Sequence, residues 1–448
     1  MPAIISLNML DRFLFKHIDN SGLIVFRVVF GFLITLEAFG AIATGWVREV
    51  LVDPKFTFSF IGLEWLQPLP GDGMYYYFAL MGVFGIMLTI GYKYRMAAIA
   101  YTIMWAGVYF MQKSAYNNHY YLMLLLLGFM AVLPANRWFS LDAKFNPKLK
   151  DPSMPRWCAL VIILQVWIVY TYASIAKLYP DWLDASMAQV LMSGKAHYWL
   201  IGDILQQTWV HWSIAYTGIF FDLLIVPLLL WKRTRMLGFV ISIFFHLFNS
   251  IVFQIGIFPY MSIAFALFFF TPKTVQRRFL PKKEFYDKGE VIVPGYKKIL
   301  VTLFSLYFIF QVGLPLRHWF IEGNVLWTEE GHRLSWRMML RSKSGTVTVT
   351  VKDKNTGVEH KVNVYDELSA KQRRGLATKP DYMWQYAQRL KKRYAAKGQD
   401  VAVYFDARVS VNRRPLAPFV DPTRDLAAEK WSHFKHHDWI LPEPEGLR

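Results

Sequence analysis

The chain of 448 residues contains one cysteine, Cys158, and lacks the short motifs of the common soluble enzymes. A single cysteine excludes an intrachain disulfide, so cysteine usage says nothing about the redox state of the compartment. There is no glycine-rich phosphate loop and no Cys-x-x-Cys pair, which argues against nucleotide and redox-cysteine chemistry. The histidines of "GHRLS" and "KHHDW" lack ligand spacing on a clear scaffold. We therefore expect no metal site.

Acidic residues are also scarce, because 32 Asp and Glu stand against 50 Lys and Arg and the net charge is +18. Such a charge is typical of nucleic-acid-binding proteins when basic and stacking aromatic residues alternate on a soluble face. Here the basic residues gather in short loops between apolar runs, where they set membrane topology. We therefore expect no nucleic acid partner.

Long apolar runs are abundant. Hydrophobic residues make up 54% of the chain, and runs long enough to cross a lipid bilayer recur through residues 1–320. We predict a mostly α, polytopic membrane helical bundle of about nine spans. Residues 1–21 show no small-residue cleavage site, so the first span is predicted to be an uncleaved anchor. The predicted spans are residues 22–43, 74–92, 96–112, 119–134, 157–178, 211–231, 236–254, 255–270 and 298–320.

The distribution of Lys and Arg predicts the orientation of these spans. Basic residues concentrate in loops 93–95, 135–156 and 271–297 and in "WKRTRM" after the sixth span. All four loops lie on one side if the chain has nine spans and a cytoplasmic N-terminus. The C-terminal region is then outside, in the periplasm beyond a bacterial inner membrane, or in the ER lumen if the source is eukaryotic.

Residues 321–448 have a different character and predict a small exported α+β domain. "GTVTVTV" alternates strictly, "DKNTG" supplies a turn and "VEHKVNVY" follows, so residues 345–365 are predicted to form a β-hairpin. "KPDYMWQYAQRLKKRYAAKG" begins with Pro and Asp and ends at a Gly, which predicts a helix. "QDVAVYFDARVSVN" predicts a further strand. The chain is thus divided into a helical domain, 1–320, and an exported domain, 321–448.

Polar residues inside the predicted spans need a reason, because an ionisable group at the bilayer centre costs about 2.5–3.5 kcal/mol on insertion scales. Two of the polar sets have helical spacing and fall on one face each. A third marks the start of the fourth span, and the predicted orientation brings all three toward the exported domain. They could line one pocket. The sets are Tyr170, Ser174 and Lys177; Ser242, His246 and Asn249; and Asn118 with His119.

Each polar residue also has a plainer interpretation. Position alone favours a Lys177 whose ammonium group reaches the lipid headgroups, as most lysines near span ends do. His246 is equally well explained as an interhelical hydrogen-bonding residue. For Asn118 and His119, position alone favours plain loop residues. For Arg27 we favour a buried structural pair with Asp222 or Glu37.

Five segments together resemble, in order and spacing, the membrane region of the vitamin K-dependent γ-glutamyl carboxylases, in a bacterial-type form. They are "SGLIVFRVVFGFL", "QPLPGDGMYYYFALMGVFGIMLTIGYKYRM", "KSAYNNHYYL", "VYTYASIAKLYPDWLDA" and "FFHLFNSIVFQIGIFPYMS". The tail is similar too, in "LSWRMM", the "QYAQRL" helix and "VYFDARVSVN". The resemblance covers nearly the whole chain, and the ordered set is more specific than any one motif.

The resemblance implies a set of site residues. The family's lysine base, which deprotonates vitamin K hydroquinone, matches Lys177, and two family histidines match His119 and His246. Asn118 and Asn249 lie beside these histidines, and with Tyr170 and Ser174 they are the expected quinone contacts. Tyr386 and Met383, in the "QYA" helix, are the expected contacts of the glutamyl substrate. Asp181, Trp182 and Asp222 also match, without an assigned role.

The implied reaction uses vitamin K hydroquinone, O₂ and CO₂, with a glutamate-containing peptide or protein as substrate. A buried lysine favours the neutral amine that a base requires. Quinol oxygenation would yield the epoxide and a strong base, the base would remove a glutamyl γ-proton, and CO₂ would be captured. Animal members have a disulfide that this chain's single cysteine excludes. Three alternatives stay open: quinol epoxidation without carboxylation, a proton-relaying transporter or quinone-binding protein, and an interaction module formed by residues 321–448.

Overall fold

A computed structural model describes residues 8–445. The described chain begins with helix α1 (Met9–Leu14), strand β1 (His17–Asp19) and the long apolar helix α2 (Ser21–Ala43). The side chain of Asn8 caps α1 by accepting a hydrogen bond from the Asp11 amide (2.8 Å). A π-helical turn (Arg48–Val52) follows α2 and leads into an extended loop.

Apolar helices form the body of the first part of the chain. Helix α3 (Gly73–Ile90) is capped at its C-terminus by Gly91. The φ of Gly91 is +65°, a left-handed conformation that glycine adopts without steric cost. The helices of this part are α3 (Gly73–Ile90), α4 (Tyr94–Met111), α5 (Asn118–Val132), α6 (Leu141–Phe145), α7 (Trp157–Ile175), α8 (Pro180–Leu183), α9 (Ser186–Ser193), α10 (Gly202–Leu205), α11 (Thr208–Leu230), α12 (Arg235–Phe253), α13 (Phe258–Ala264), α14 (Pro272–Phe279) and α15 (Lys297–Leu316).

Six helices of residues 8–445 are long and apolar enough to cross a membrane, judged by length and composition. They are α2, α3, α7, α11, α12, and α15 with the 3₁₀ turn that extends it to Phe320. Residues 118–132 and 258–268 form shorter apolar helices, and α4 is not among the candidates. The mostly α fold is confirmed, but the count of nine spans is not. Both the fourth and eighth predicted spans are helices of fewer than 18 residues, short for a bilayer core about 30 Å thick.

A short strand pair and a helical excursion complete the first part of the chain. Strand β2 (Ser153–Pro155) pairs antiparallel with β1 and fixes the start of α2 beside the start of α7. Helix α7 ends shortly before Tyr179, which is extended because a residue preceding proline is disfavoured in the α region. The chain then runs through α8, α9 and α10 before it enters α11.

The C-terminal part contains a four-stranded antiparallel sheet of order β4-β3-β5-β6. The two long central strands pair with Val349 opposite Phe405 and Val351 opposite Val403. These side chains form a core with the two helices that lie between the strands in sequence. The predicted hairpin, helix and further strand are all present. The elements are α16 (Val325–Thr328), β3 (Lys343–Asp353), β4 (Glu359–Lys361), α17 (Ala370–Thr378), α18 (Pro380–Ala395), β5 (Val401–Val411) and β6 (Ala417–Pro418).

Buried polar contacts tie the two parts together. Lys113, just after α4, pairs with Asp381 in the first turn of α18 (2.5 Å), and Arg333 donates two hydrogen bonds to the same carboxylate. Asp181 of α8 accepts two hydrogen bonds from Arg414 and one from Asn412, each 2.6 Å long. The C-terminal part is therefore held against the helical part at defined points.

Candidate functional site

A cavity of about 690 Å³ lies between the ends of α5, α7, α11 and α12 and the start of the C-terminal part. Aromatic and aliphatic side chains form most of its wall in the helical part, whereas charged residues and His332 form most of its wall in the C-terminal part. This volume and this lining are typical of small-molecule sites, which usually measure about 300–1,000 Å³. Lys177, His119, His246, Asn118, Asn249 and Tyr170 all line it.

Lys177 lies in the last turn after α7 and is bonded inside the protein. Its Nζ donates to Asp222 Oδ2 on α11 (2.5 Å) and to the Ala173 carbonyl (2.9 Å). Only 8% of each side chain is exposed, so the ammonium group does not extend toward lipid headgroups. A buried pair of this kind is strongly destabilised when one partner is removed, because the other charge is left uncompensated.

The Lys177 side chain is held from two further sides. The Trp182 ring lies 5.6 Å from Nζ, and its indole nitrogen donates to the Ala215 carbonyl (2.9 Å). Gly218 of α11 faces both side chains, and a Cβ there would lie 3.4 Å from the Trp182 ring and 3.7 Å from Lys177 Cε. The absence of a side chain at Gly218 leaves the approach to Lys177 open to the cavity.

His246 on α12 contributes a hydrogen-bonding atom without a partner. Tyr170 Oη and His246 Nε2 are 3.0 Å apart, while Nδ1 is buried and has no hydrogen-bond partner among residues 8–445. Rings of Phe221, Phe245 and Phe258 surround the imidazole at centroid distances of 5.5–6.2 Å. Whichever nitrogen carries the proton, Nδ1 keeps unused capacity to bond a ligand.

The loop between α16 and β3, residues 329–342, covers one end of the cavity and is called the roof. The polar residues of α5 divide between the cavity and this roof. His119 packs against Phe258 (5.5 Å between ring centroids). Asn118 uses both ends of its amide within the protein: Nδ2 donates to the Arg337 carbonyl (3.0 Å), and Oδ1 accepts from Tyr116 (2.9 Å). Asn118 therefore positions the roof, whereas His119 and the Asn249 of α12 are the residues that face the cavity from the expected sides.

The roof is a loop in unusual backbone geometry. Leu334, Trp336 and Met339 have φ of +59°, +58° and +55°, a region that bulky side chains rarely adopt. The Tyr116 hydroxyl accepts a hydrogen bond from the Leu334 amide (2.7 Å), and Tyr121 stacks on Trp336 at 4.8 Å. Such strained loops persist only where surrounding contacts over-determine them, and they cluster at functional sites.

Charged side chains of the roof face the cavity from the C-terminal part. Burial lowers the pKa of Arg337 to about 10, with nearby Arg341 adding to the effect. Burial also lowers the pKa of Lys379, which lines the cavity beside the roof, to about 8. For Glu329 burial acts to raise the pKa, but Arg341 and Lys343 outweigh it, so the pKa of this carboxyl lies well below its usual range. The roof is therefore predominantly cationic.

Three of the expected contact residues lie away from the cavity lining. Ser174 donates to the Ile219 carbonyl (3.0 Å) and joins α7 to α11. Met383 and Tyr386 are fully buried in the core of the C-terminal part, where Tyr386 stacks on Phe56. These positions give no support to a quinone contact for Ser174 or a substrate contact for Tyr386 and Met383. Those roles stay predictions.

The expected pair of Arg27 with Asp222 or Glu37 is wrong. Arg27 donates to the carbonyls of Ala135 (2.8 Å), Trp138 and Phe139, so it closes a turn between α5 and α6. Glu37 accepts from the Tyr120 hydroxyl (2.6 Å). Backbone carbonyls satisfy a guanidinium as well as a carboxylate does when they converge on it, and a sequence does not reveal that convergence.

Sequence reasoning assigned no role to several residues that shape the site. Asp222 matches the family pattern without an assigned role, and the motifs of the sequence predicted no role for Arg337 or Lys379. One signal was present, because Arg333, Arg337 and Arg341 recur at intervals of four in "RLSWRMMLR". Among residues 8–445 no group of three or more His, Cys, Asp or Glu could hold a metal ion.

The helices and the capped cavity define a class of protein: an α-helical membrane protein with a polar group pair inside an apolar chamber. The family profile described as "HTTM domain" matches residues 15–273, and the profile described as "Vitamin K-dependent gamma-carboxylase, lumenal domain" matches residues 296–446. The chain belongs to the vitamin K-dependent γ-glutamyl carboxylase family. No solved structure matches it. The lumenal-domain match suggests that the C-terminal part is on the non-cytoplasmic side.

Proposed function

We propose that this protein is a vitamin K hydroquinone-dependent γ-glutamyl carboxylase that couples quinol epoxidation to carboxylation. The observation that carries the proposal is the Lys177–Asp222 pair at the wall of an apolar cavity, in a chain whose two parts match the family. A base, a dry chamber and a nearby cationic roof are the elements that such a reaction requires.

The residues present fit a reduced naphthoquinone. The lining of the 690 Å³ cavity includes many aromatic side chains, and the buried Nδ1 of His246 lacks a hydrogen-bond partner in the described part of the chain. His246, Tyr170, His119 and Asn249 would hold the ring and its oxygens. When bound, the hydroquinone would supply, together with O₂, the strong base that removes a glutamyl γ-proton before CO₂ is captured.

Lys177 needs an acceptor for its own proton before it can act as a base. Asp222 Oδ2 is that acceptor, because the 2.5 Å hydrogen bond leads directly from the ammonium group to the carboxylate. Transfer along this bond leaves an amine at Lys177 and a neutral carboxyl at Asp222. The amine would then take a proton from a hydroxyl group held in the cavity.

The aromatic walls would keep water from competing with CO₂. Trp182 and Phe245 line the Lys177 and His246 sides, and the roof loop covers the opposite end. A water-poor chamber also strengthens each electrostatic contact inside it. We further propose a cytoplasmic N-terminus, with the reaction chamber opening to the periplasm or lumen, because the basic loops share one side if the chain has nine spans.

The test uses purified protein supplied with vitamin K hydroquinone, O₂, labelled CO₂ and a glutamate-containing peptide. We expect both quinone epoxide and labelled γ-carboxyglutamate from the wild type, and neither from Lys177→Ala. If the wild type forms neither product, or if Lys177→Ala matches it, the proposal is wrong. Epoxide without labelled peptide would identify a quinol epoxidase instead. Lys177-dependent proton flux in proteoliposomes without quinol turnover would identify a transporter.

A further inference from the structure

A second opening adjoins the roof of the cavity, on the C-terminal part. This cleft measures about 370 Å³ and is lined by polar and charged residues from α17, α18, the start of β3 and the loop after α4. Glu329, Arg341 and Lys379 line both the cleft and the cavity, so the two spaces share one wall. The lining of the cleft is Ser114, Glu329, Arg341, Lys343, Lys371, Arg374, Gly375, Thr378, Lys379 and Tyr382.

The charge in this cleft is unbalanced. Five of the lining residues are Lys or Arg, and Glu329 is the one lining residue with a carboxylate. Glu329 is already shared between Arg341, which it binds through both oxygens, and Lys343 at 3.3 Å. Lys343 also donates to the Trp327 carbonyl (2.6 Å). Among residues 8–445, Glu329 attracts Lys379 only at longer range and forms its direct ion pairs with Arg341 and Lys343.

The other three cations of the cleft are Lys371, Arg374 and Lys379. Within residues 8–445 none of them has a carboxylate within the 4.0 Å of an ion pair. Glu49 attracts Lys371 only at longer range. The Lys379 ammonium group lies 5.4 Å from the centre of the Tyr382 ring. Burial, reinforced by the charges of Arg333 and Arg341, lowers the pKa of Lys379 to about 8.

The arrangement follows from how α17 is built. Ser369 and Gln372 form a capping box that fixes its start, and the Gln372 amide donates to the Phe56 carbonyl (2.7 Å) on the packed side. Lys371, Arg374 and Thr378 follow at helical spacing on one face. That face is the one that lines the cleft, with Lys379 next to it. A rigid element therefore presents the unpaired charges.

We propose that this cleft binds further carboxylates of an acidic, glutamate-rich peptide while one of its glutamates occupies the cavity. The inference rests on the proposed function for the identity of the reacting residue. Because Lys379 and Arg341 border both spaces, carboxylates bound in the cleft would lie beside a glutamate in the cavity. Unpaired cations at one edge of a catalytic chamber raise the local concentration of anionic ligands and select them over neutral ones.

The test measures peptide binding alone, on the full-length protein without quinol, by fluorescence anisotropy. One labelled peptide is rich in glutamate, and its partner keeps a single glutamate with glutamine at the other positions. We expect the wild type to prefer the first. A single exposed ion pair contributes little to binding, so the two substitutions Lys371→Glu and Arg374→Glu are combined. Together they should weaken binding of the glutamate-rich peptide about tenfold. Binding of the single-glutamate peptide should change less than about twofold.

The matched control reverses two exposed cations of the same part of the chain, Lys361 on β4 and Lys397 after α18. Lys361→Glu with Lys397→Glu makes the same charge change away from the cleft and should leave the preference intact. Equal binding of the two peptides by the wild type, or equal loss in the control, overturns the inference. Quinol epoxidation measured on the same samples separates this result from failure of the proposed function, because the cleft variants should retain the wild-type epoxidation rate.

Discussion

Two buried Lys–Asp pairs, at separate places in the helical part, show what makes an ion pair a candidate site. Lys283 and Asp19 are 2.6 Å apart with both side chains fully buried. Lys283 also donates to two carbonyls, and Asp19 accepts from the amides of Ser21 and Tyr286. Lys177 and Asp222 are as close, but they border an open cavity. Burial is shared, whereas access to a ligand distinguishes the second pair.

The contrast has an energetic side. The Lys283 pair is surrounded by partners that satisfy it, so its role is to join β1 to the segment after α14. The Lys177 pair has one carbonyl besides Asp222, and it faces space that a molecule can enter. A pair with few fixed partners can exchange a proton with a ligand at little structural loss. The predictions below test this difference.

The sharpest test replaces each lysine by methionine. Lys177→Met should lower the rate of epoxide formation by about 10²–10⁴, the usual contribution of a positioned base. Lys283→Met should lower stability by about 3–5 kcal/mol, since Asp19 is left uncompensated, while the rate per folded molecule is retained. Initial rates and thermal unfolding of both variants decide the matter. Equal loss of rate in the two would remove the distinction.

Asp222→Asn should reduce the epoxidation rate by about 10–100-fold, because it removes a charge-assisted hydrogen bond and the acceptor of the lysine proton. The conservative Asp222→Glu should recover part of the rate. Rate against pH, with thermal unfolding alongside, gives the readout. A wild-type rate in Asp222→Asn would show that Lys177 needs no carboxylate partner.

Tyr170→Phe should have a smaller effect, about 2–10-fold, since it removes one hydrogen bond to His246 and leaves the packing in place. We expect the KM for hydroquinone to rise by a larger factor than kcat falls, because this contact orients a group that binds the hydroquinone. Ser174→Ala, one turn along the same helix, is the matched control and should leave the KM unchanged. A larger KM effect from Ser174→Ala would place the quinone elsewhere.

The smallest effect on the reaction rate is expected at the junction between the two parts, where a substitution acts on stability. Burial acts to raise the pKa of Asp381, but Arg333 and Lys113 outweigh it, so the folded pKa lies well below 3.8. Stability from this carboxylate is therefore fully present above about pH 4 and is lost as the pH falls below that value. Asp381→Asn should flatten this acid limb of the thermal unfolding midpoint. An unchanged acid limb in the variant would assign it to other carboxylates.

The helices could be predicted because apolar runs and their breaks are local. Each predicted span overlaps a helix, and the hairpin, helix and strand after residue 343 were placed by alternation, turn residues and capping. The span count of nine is not confirmed, since α5 and the helix from Phe258 are short and α4 is not among the candidate spans. The predicted partner of Arg27 was wrong, because its guanidinium group donates to three backbone carbonyls and not to a carboxylate.

The sequence by itself determined the apolar helices, the sheet-containing C-terminal part and the family. It also indicated that Lys177, His119 and His246 lie at a similar depth along the predicted spans. Only the tertiary structure decided that Lys177 pairs with Asp222, that His246 Nδ1 has no partner within the described residues and that Ser174 donates to a backbone carbonyl. Periodicity assigns a residue to a face of its own helix. Which neighbour that face meets depends on packing between segments 45 or more residues apart, and no local pattern records it.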